Sequence, residues 1–171
     1  MLATFLILMT TTPSASAEEP ETADLAPPSF SGTWVLDHAA SDDLDAVLEA
    51  QGVPSWQRKL VAELDVSLTI WDEGDRLRLR TETAVRTNEA ELVLDGVMHE
   101  IRGDQGKREV VAVREADGSL RITATDPKGK KPLVEIRRAL AEEGATLRQT
   151  VEVRPDDGPA LRASQVYRRS S

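Results

Sequence analysis

The sequence predicts an all-β fold: a ten-stranded antiparallel up-and-down β-barrel with a helix-turn-helix lid between the first two strands. Three observations predict it. Turn chemistry recurs at regular intervals after Phe30, at Asp72-Glu73-Gly74-Asp75, Asp95-Gly96, Gly103 to Gly106, Asp117-Gly118, Pro127-Lys128-Gly129, Glu143-Gly144 and Pro155-Asp156-Asp157-Gly158. Between these turns lie segments of about 6 to 10 residues with the two-residue alternation of half-buried strands. A single stretch breaks that pattern, and it falls between the first strand and the second.

The alternation is regular enough to assign faces. Leu77, Leu79 and Thr81 interleave with Arg76, Arg78 and Arg80; Leu120, Ile122 and Ala124 with Arg121, Thr123 and Thr125; Leu147, Gln149, Val151 and Val153 with Arg148, Thr150 and Glu152. Arginine at every second position means one wet face and one dry face. In the exceptional stretch, Ser41 is placed as an N-cap with acids behind it, Leu44, Val47 and Leu48 recur at helical spacing, and Gly52 is placed to end the helix. A second helix starts near Pro54-Ser55 and presents Trp56, Leu60 and Leu64 on one side. Helices this short need an apolar surface to lie on, and the open end of a barrel supplies one. One strand over about 31 to 38, a helix pair and nine further strands give ten. Closure removes the edges that such a sheet would otherwise expose, and a barrel of this strand number encloses a cavity.

The chain has 171 residues and a mass of 18.7 kDa, enough for one barrel domain over 30–171 plus an N-terminal extension. It contains no cysteine, which excludes disulfides, thiolate metal sites and a cysteine nucleophile. The net charge of −9 excludes nucleic acid as the expected partner, because phosphate binding needs a basic stripe. Residues 1–17 have the outline of a signal peptide. The run from Leu2 to Met9 is too short to span a bilayer, and Ala15-Ser16-Ala17 offers an A-x-A cleavage site, although no Lys or Arg precedes it. Export to the periplasm or the exterior is expected, with a cytoplasmic location if the segment is not a functional signal. Residues 18–29, rich in Pro, Glu and Ala, read as a flexible tether.

Several segments resemble the intracellular lipid-binding protein family, which includes the fatty-acid-binding and cellular retinoid-binding proteins. Phe30-Ser31-Gly32-Thr33-Trp34-Val35-Leu36 is similar to the family opening F-x-G-T-W-x-L. Asp43-Leu44-Asp45 through Gln51-Gly52-Val53 and Arg58-Lys59 resemble its helix-turn-helix, a feature that true lipocalins lack here. Gly74-Asp75, Leu79-Arg80-Thr81 and Asn88-Glu89 resemble its G-D, L-K-T and N-T-E landmarks, and Gln165-Val166-Tyr167 its closing R-x-Y. The resemblance runs from Phe30 to Tyr167. It departs from the family in the leader, since members are cytosolic, and in Gln165, where carboxylate-binding members carry arginine and retinol-binding members glutamine.

Arg138 is the most informative site candidate. Val134, Ile136, Arg138 and Leu140 share one parity, so Arg138 falls on the apolar face while Arg137 faces water. A buried guanidinium calls for a carboxylate, which its planar fork fits bidentately. That carboxylate could belong to a ligand or to the protein, or the side chain could snorkel to the rim. The resemblance also implies an inward arginine at this position that contacts a ligand headgroup. On the last strand Gln165 and Tyr167 share a parity with Leu161 and Ala163 and are expected beside Arg138, serving either a headgroup or water and neighbouring protein groups. Gln149 is expected to line the cavity. His99 alternates with Val97 and Ile101 and is expected inward, bonded to a ligand or to a neighbour. The resemblance implies a ligand portal at Trp56, Leu60 and Val85; for Trp56 a core role is the alternative.

No nucleophile-base pair, phosphate-cradling glycine loop or ligand-spaced metal motif stands in the sequence, so no catalysis, cofactor or metal is expected. The leading reading is a monomeric, non-catalytic carrier of a fatty acid or similar lipid that touches membranes only transiently. The alternatives are an extracytoplasmic barrel acting through protein-protein contacts and a carrier of a retinoid, another neutral ligand or haem. Small and polar inward residues such as Ala124, Ala163, Thr81, Gln149 and Gln165 leave room in the lumen and favour a carrier.

Overall fold

The computed structural model describes residues 28–103, 106–129 and 131–170; the expected leader and most of the expected tether lie outside the described residues. Ten strands follow one another: β1 (Gly32–Leu36), β2 (Ser67–Asp72), β3 (Arg76–Thr83), β4 (Arg86–Val93), β5 (Asp95–Gly103), β6 (Gly106–Arg114), β7 (Leu120–Thr125), β8 (Leu133–Ala141), β9 (Thr146–Arg154) and β10 (Leu161–Arg169). Two helices, α1 (Asp45–Ala50) and α2 (Ser55–Glu63), lie between β1 and β2. The strands make one antiparallel sheet in the order β4-β3-β2-β1-β10-β9-β8-β7-β6-β5. β1 joins its two halves, pairing Trp34 with Leu68 of β2 on one side and with Arg169 of β10 on the other. The ladder stops between β4 and β5 among the described residues, so the barrel is nearly closed, with one seam there. The predicted barrel and its lid are both present.

The faces follow the alternation. Leu77, Leu79, Leu120, Ile122 and Leu147 are buried, with Phe30 and Trp34 fully enclosed among them. The Trp34 indole Nε1 donates to the Phe30 carbonyl at 3.0 Å, so the ring is buried without stranding its one polar atom. Burying side chains of this size contributes roughly 1.5–3 kcal/mol each. On the outer face Arg76, Arg78 and Arg80 pair with Glu91, Glu73 and Glu82.

The lid departs from the expected arrangement in two places. Ser41 does not cap α1, which begins four residues later with Leu44 before it and no side-chain cap. Instead, the Ser41 hydroxyl donates to the Asp37 carbonyl at 2.7 Å and accepts from Val166 N, while Asp42 exchanges two bonds with the Ser164 backbone on β10. These residues strap the chain to the last strand, an arrangement that satisfies open sheet donors and acceptors before the helix starts. In α2 and the residue that ends it the inward side chains are Gln57, Val61 and Leu64, and Trp56 is 55% exposed. The expected face through Trp56 and Leu60 is therefore rotated by one residue. Gly52 does end α1, in the left-handed region at φ +78. Arg58 ties the two helices together, donating to Asp45, Glu49 and the Val53 carbonyl.

Candidate functional site

The site is built by register. Arg138 on β8 lies directly opposite Gln149 on β9, and Gln149 opposite Gln165 on β10. Antiparallel partners share a face, so the three side chains form a row across the inner sheet. The row is bonded end to end: Arg138 Nε donates to Gln149 Oε1 at 2.7 Å, and Gln149 Nε2 donates to Gln165 Oε1 at 2.8 Å. The Tyr167 hydroxyl, two residues further along β10, donates to the same Gln165 oxygen at 3.4 Å. All four residues are buried, Arg138 to 6% exposure. Arg137 points outward and pairs with Glu135.

Arg138 is a cation without an anion. Among the described residues no carboxylate lies within ion-pair distance of it, and its Nη1 has no hydrogen-bond partner. Burial pulls the guanidinium below its ordinary pKa, with Tyr167 acting weakly the other way. Arginine nonetheless keeps its proton at neutral pH. Burial also pushes the Tyr167 phenol up to about 12, despite the neighbouring cation, so the hydroxyl stays a neutral donor. The row thus presents positive charge and N–H and O–H donors, with no negative counterpart.

These polar groups sit in the wall of a cavity of about 150 Å³ whose other walls are mainly apolar. α1 and its flanking residues contribute Leu44, Val47, Leu48 and Gln51, α2 and the residue after it contribute Val61 and Leu64, and the strands add Leu68, Thr81, Thr83, Ile136 and Val151. A second pocket of about 290 Å³ lies beside it, between the lid and the ends of β1 and β2, with Leu44, Leu48, Val61, Val66 and Gln165 common to both. Sites for drug-sized ligands run to roughly 300–1,000 Å³. A long chain anchored at Arg138 therefore has to run past those shared side chains or lift the helices.

The other expected site residues lie elsewhere. His99 shares the face of buried Ile101 but does not line the cavity; it is one-third exposed and its Nε2 lies 3.0 Å from Asp95 Oδ2. His99 pairs with buried Val110, so its side chain keeps the inner face as expected; it sits on β5, where the ladder stops, away from the cavity, which corrects its expected place among the ligand contacts. Trp56 and Val85 are exposed, and Leu60 is half-buried; none lines the cavity. Among the buried polar residues that the sequence did not single out, two matter most here, Arg108 and Gln51. Arg108 sits inward on β6 beside Val110 and Ala112, and the same alternation that marks Arg138 would have found it. Gln51 closes α1 over the cavity, where a short helix end gives no periodic signal.

No family model matches the chain. Individual relatives do. The cellular retinoic acid-binding protein 1 of Homo sapiens is 30% identical over 118 residues, 68% of this chain and 85% of that protein. The fatty acid-binding protein of Tyrophagus putrescentiae is 31% identical over 122 residues, 71% of this chain and 88% of that protein. The chain belongs to the fatty-acid-binding and cellular retinoid-binding protein family. Among solved structures of this lipid-binding family, the Schistosoma mansoni fatty acid binding protein in complex with arachidonic acid superposes with a TM-score of 0.68 at 25% identity, over 83% of this chain and 96% of that one. The apo lipid binding protein 8 of Caenorhabditis elegans, at 17% identity and a TM-score of 0.70, shows the shared lipid-binding-protein fold alone.

Proposed function

We propose that the protein is a non-catalytic carrier of a hydrophobic small molecule with an acidic headgroup, a fatty acid or a similar lipid acid. One observation carries this reading: a buried arginine with no carboxylate partner among the described residues, in the wall of a largely apolar cavity. An uncompensated charge in an apolar setting is costly, and a ligand carboxylate would neutralise it through a short charge-assisted bond. The relatives named above as fatty-acid and retinoic-acid binders support the same class of ligand. Gln165 favours a second reading, a neutral alcohol such as a retinoid, because an amide can serve a hydroxyl.

Trp56, Leu60 and Val85 would form the entry rim and make brief contact with a membrane, with the carrier acting as a monomer. The Leu2 to Met9 run and Ala15-Ser16-Ala17 support export, giving a mature chain that begins at Glu18. The test of function is displacement of a fluorescent fatty-acid probe from delipidated protein by oleate and by retinol. One probe per chain with micromolar or better affinity is expected. A folded sample that binds no member of a lipid panel would refute the carrier reading. For location, an intact Met1 on cytoplasmic protein from the native host would refute export.

A further inference from the structure

The row from Arg138 to Tyr167 supplies the buried polar groups that the strands bring to the cavity, but a buried polar residue of the lid that also lines it is still unused. Gln51, the residue after the last turn of α1, is 6% exposed and lines the same cavity. Its Nε2 donates to the Val47 carbonyl at 3.1 Å, which fixes which way the amide points. The other end, Oε1, is buried with no hydrogen-bond partner. Around it the lid presents Leu44, Val47, Leu48, Val61 and Leu64.

Two residues of the cavity wall therefore each hold a buried, unmet hydrogen-bonding atom, and the two are of opposite kind: a donor, Arg138 Nη1, and an acceptor, Gln51 Oε1. An acceptor oxygen gives a methylene chain nothing and repels a carboxylate, but it rewards a hydroxyl or another N–H or O–H. A cationic donor is disfavoured, since no Asp or Glu lines this cavity among the described residues and Arg138 is already positive. What remains is a neutral donor on a chain whose other end is an acid. We infer that the preferred ligand is a hydroxylated fatty acid, with its carboxylate on Arg138 and its hydroxyl donating to Gln51 Oε1. This inference rests on the carboxylate reading of Arg138 given above and adds a second contact to it.

The test titrates the delipidated full chain with octadecanoic acid, with a series of its derivatives hydroxylated at successive mid-chain carbons, and with the O-methyl ethers of those derivatives. At least one hydroxylated isomer is expected to bind roughly three- to tenfold more tightly than the parent acid, the range of one net hydrogen bond. Its ether, which cannot donate, should lose that gain. In Gln51→Leu and Gln51→Met, each checked for folding by its thermal transition, the ratio of hydroxy-acid to parent-acid affinity should fall to about one. No isomer exceeding the parent acid, an ether that keeps the gain, or a gain that survives both substitutions would each overturn the inference. A parent acid that binds with no hydroxyl gain defeats this inference alone; a protein that binds neither acid defeats the carrier reading with it.

Discussion

Two inward-facing arginines of this barrel, the partly buried Arg114 and the buried Arg138, have opposite surroundings. Arg114, at the end of β6, donates to Asp72 Oδ1 at 2.7 Å and lies 5.7 Å over the Phe30 ring. Asp72 in turn accepts from Phe30 N, and its own N–H is bonded to the Ser31 hydroxyl, so one ion pair fastens the entering chain to two strands. Arg138 has neutral amides as neighbours and, among the described residues, no acid within ion-pair distance. Both leave an Nη1 without a partner, so a missing hydrogen bond does not separate them; a missing counter-charge does. The barrel end that holds Arg114 is finished by its own residues. The region around Arg138 is electrically incomplete, as a receptor for an anion has to be.

The sharpest way to break this contrast is to remove each partner in turn. Asp72→Ala strands a partly buried cation and frees the Phe30 amide, and should cost about 3 kcal/mol in urea unfolding. A loss under about 1 kcal/mol would mean that the Asp72–Arg114 pair is not the structural clasp described here.

Alkaline titration gives the next largest effect. Tyr167 is the one tyrosine in the chain, so the tyrosinate absorbance reports it alone. Burial raises its folded pKa from the ordinary 10.0 to about 12, so the native state holds this proton more tightly than the unfolded chain. The stability it contributes is complete below about pH 10 and is lost as the pH rises toward about 12. A titration near the unfolded value in folded protein would place the phenol in water, away from the row.

Smaller effects come from the lid and the outer wall. Arg58→Ala removes the ties between α1 and α2 and should speed dissociation of a bound fatty acid, by less than about tenfold, with little change in global unfolding. Unaltered release would show that the helices do not limit exit. Arg137→Gln, on the wet face beside Arg138, should change stability by no more than about 0.5 kcal/mol and leave affinity unchanged.

The legibility of this fold in its sequence follows from where the periodic signal is strong. A strand that repeats every second residue shows both its existence and its facing, and so the barrel and the inward placement of Arg138, Gln149, Gln165 and Tyr167 could be read directly. The lid was less readable because its helices are six and nine residues long. Over so few turns, Trp56-Leu60-Leu64 and Gln57-Val61-Leu64 are equally helical patterns. Hydrophobicity favours the first and packing on the barrel selects the second. Ser41 carries a good capping side chain, but β10 competes for it. Parity counted from Ile101 gives His99 the right face, but parity says nothing of position along the barrel, and β5 lies at the seam, away from the cavity. Gln51 could not be found by pattern at all, since its significance lies in one amide oxygen that no neighbour meets.

The central claim, that Arg138 reads a ligand carboxylate, is tested most directly by titrating wild type and Arg138→Gln with a fatty acid and with the alcohol of equal chain length. A charge-assisted bond in this cavity contributes about 1.5–3 kcal/mol. The substitution should therefore weaken acid binding by roughly 10- to 100-fold, with a much smaller effect on the alcohol and with stability unchanged or raised. Equal losses for acid and alcohol would contradict the account, showing that Arg138 supports the barrel and does not recognise the headgroup.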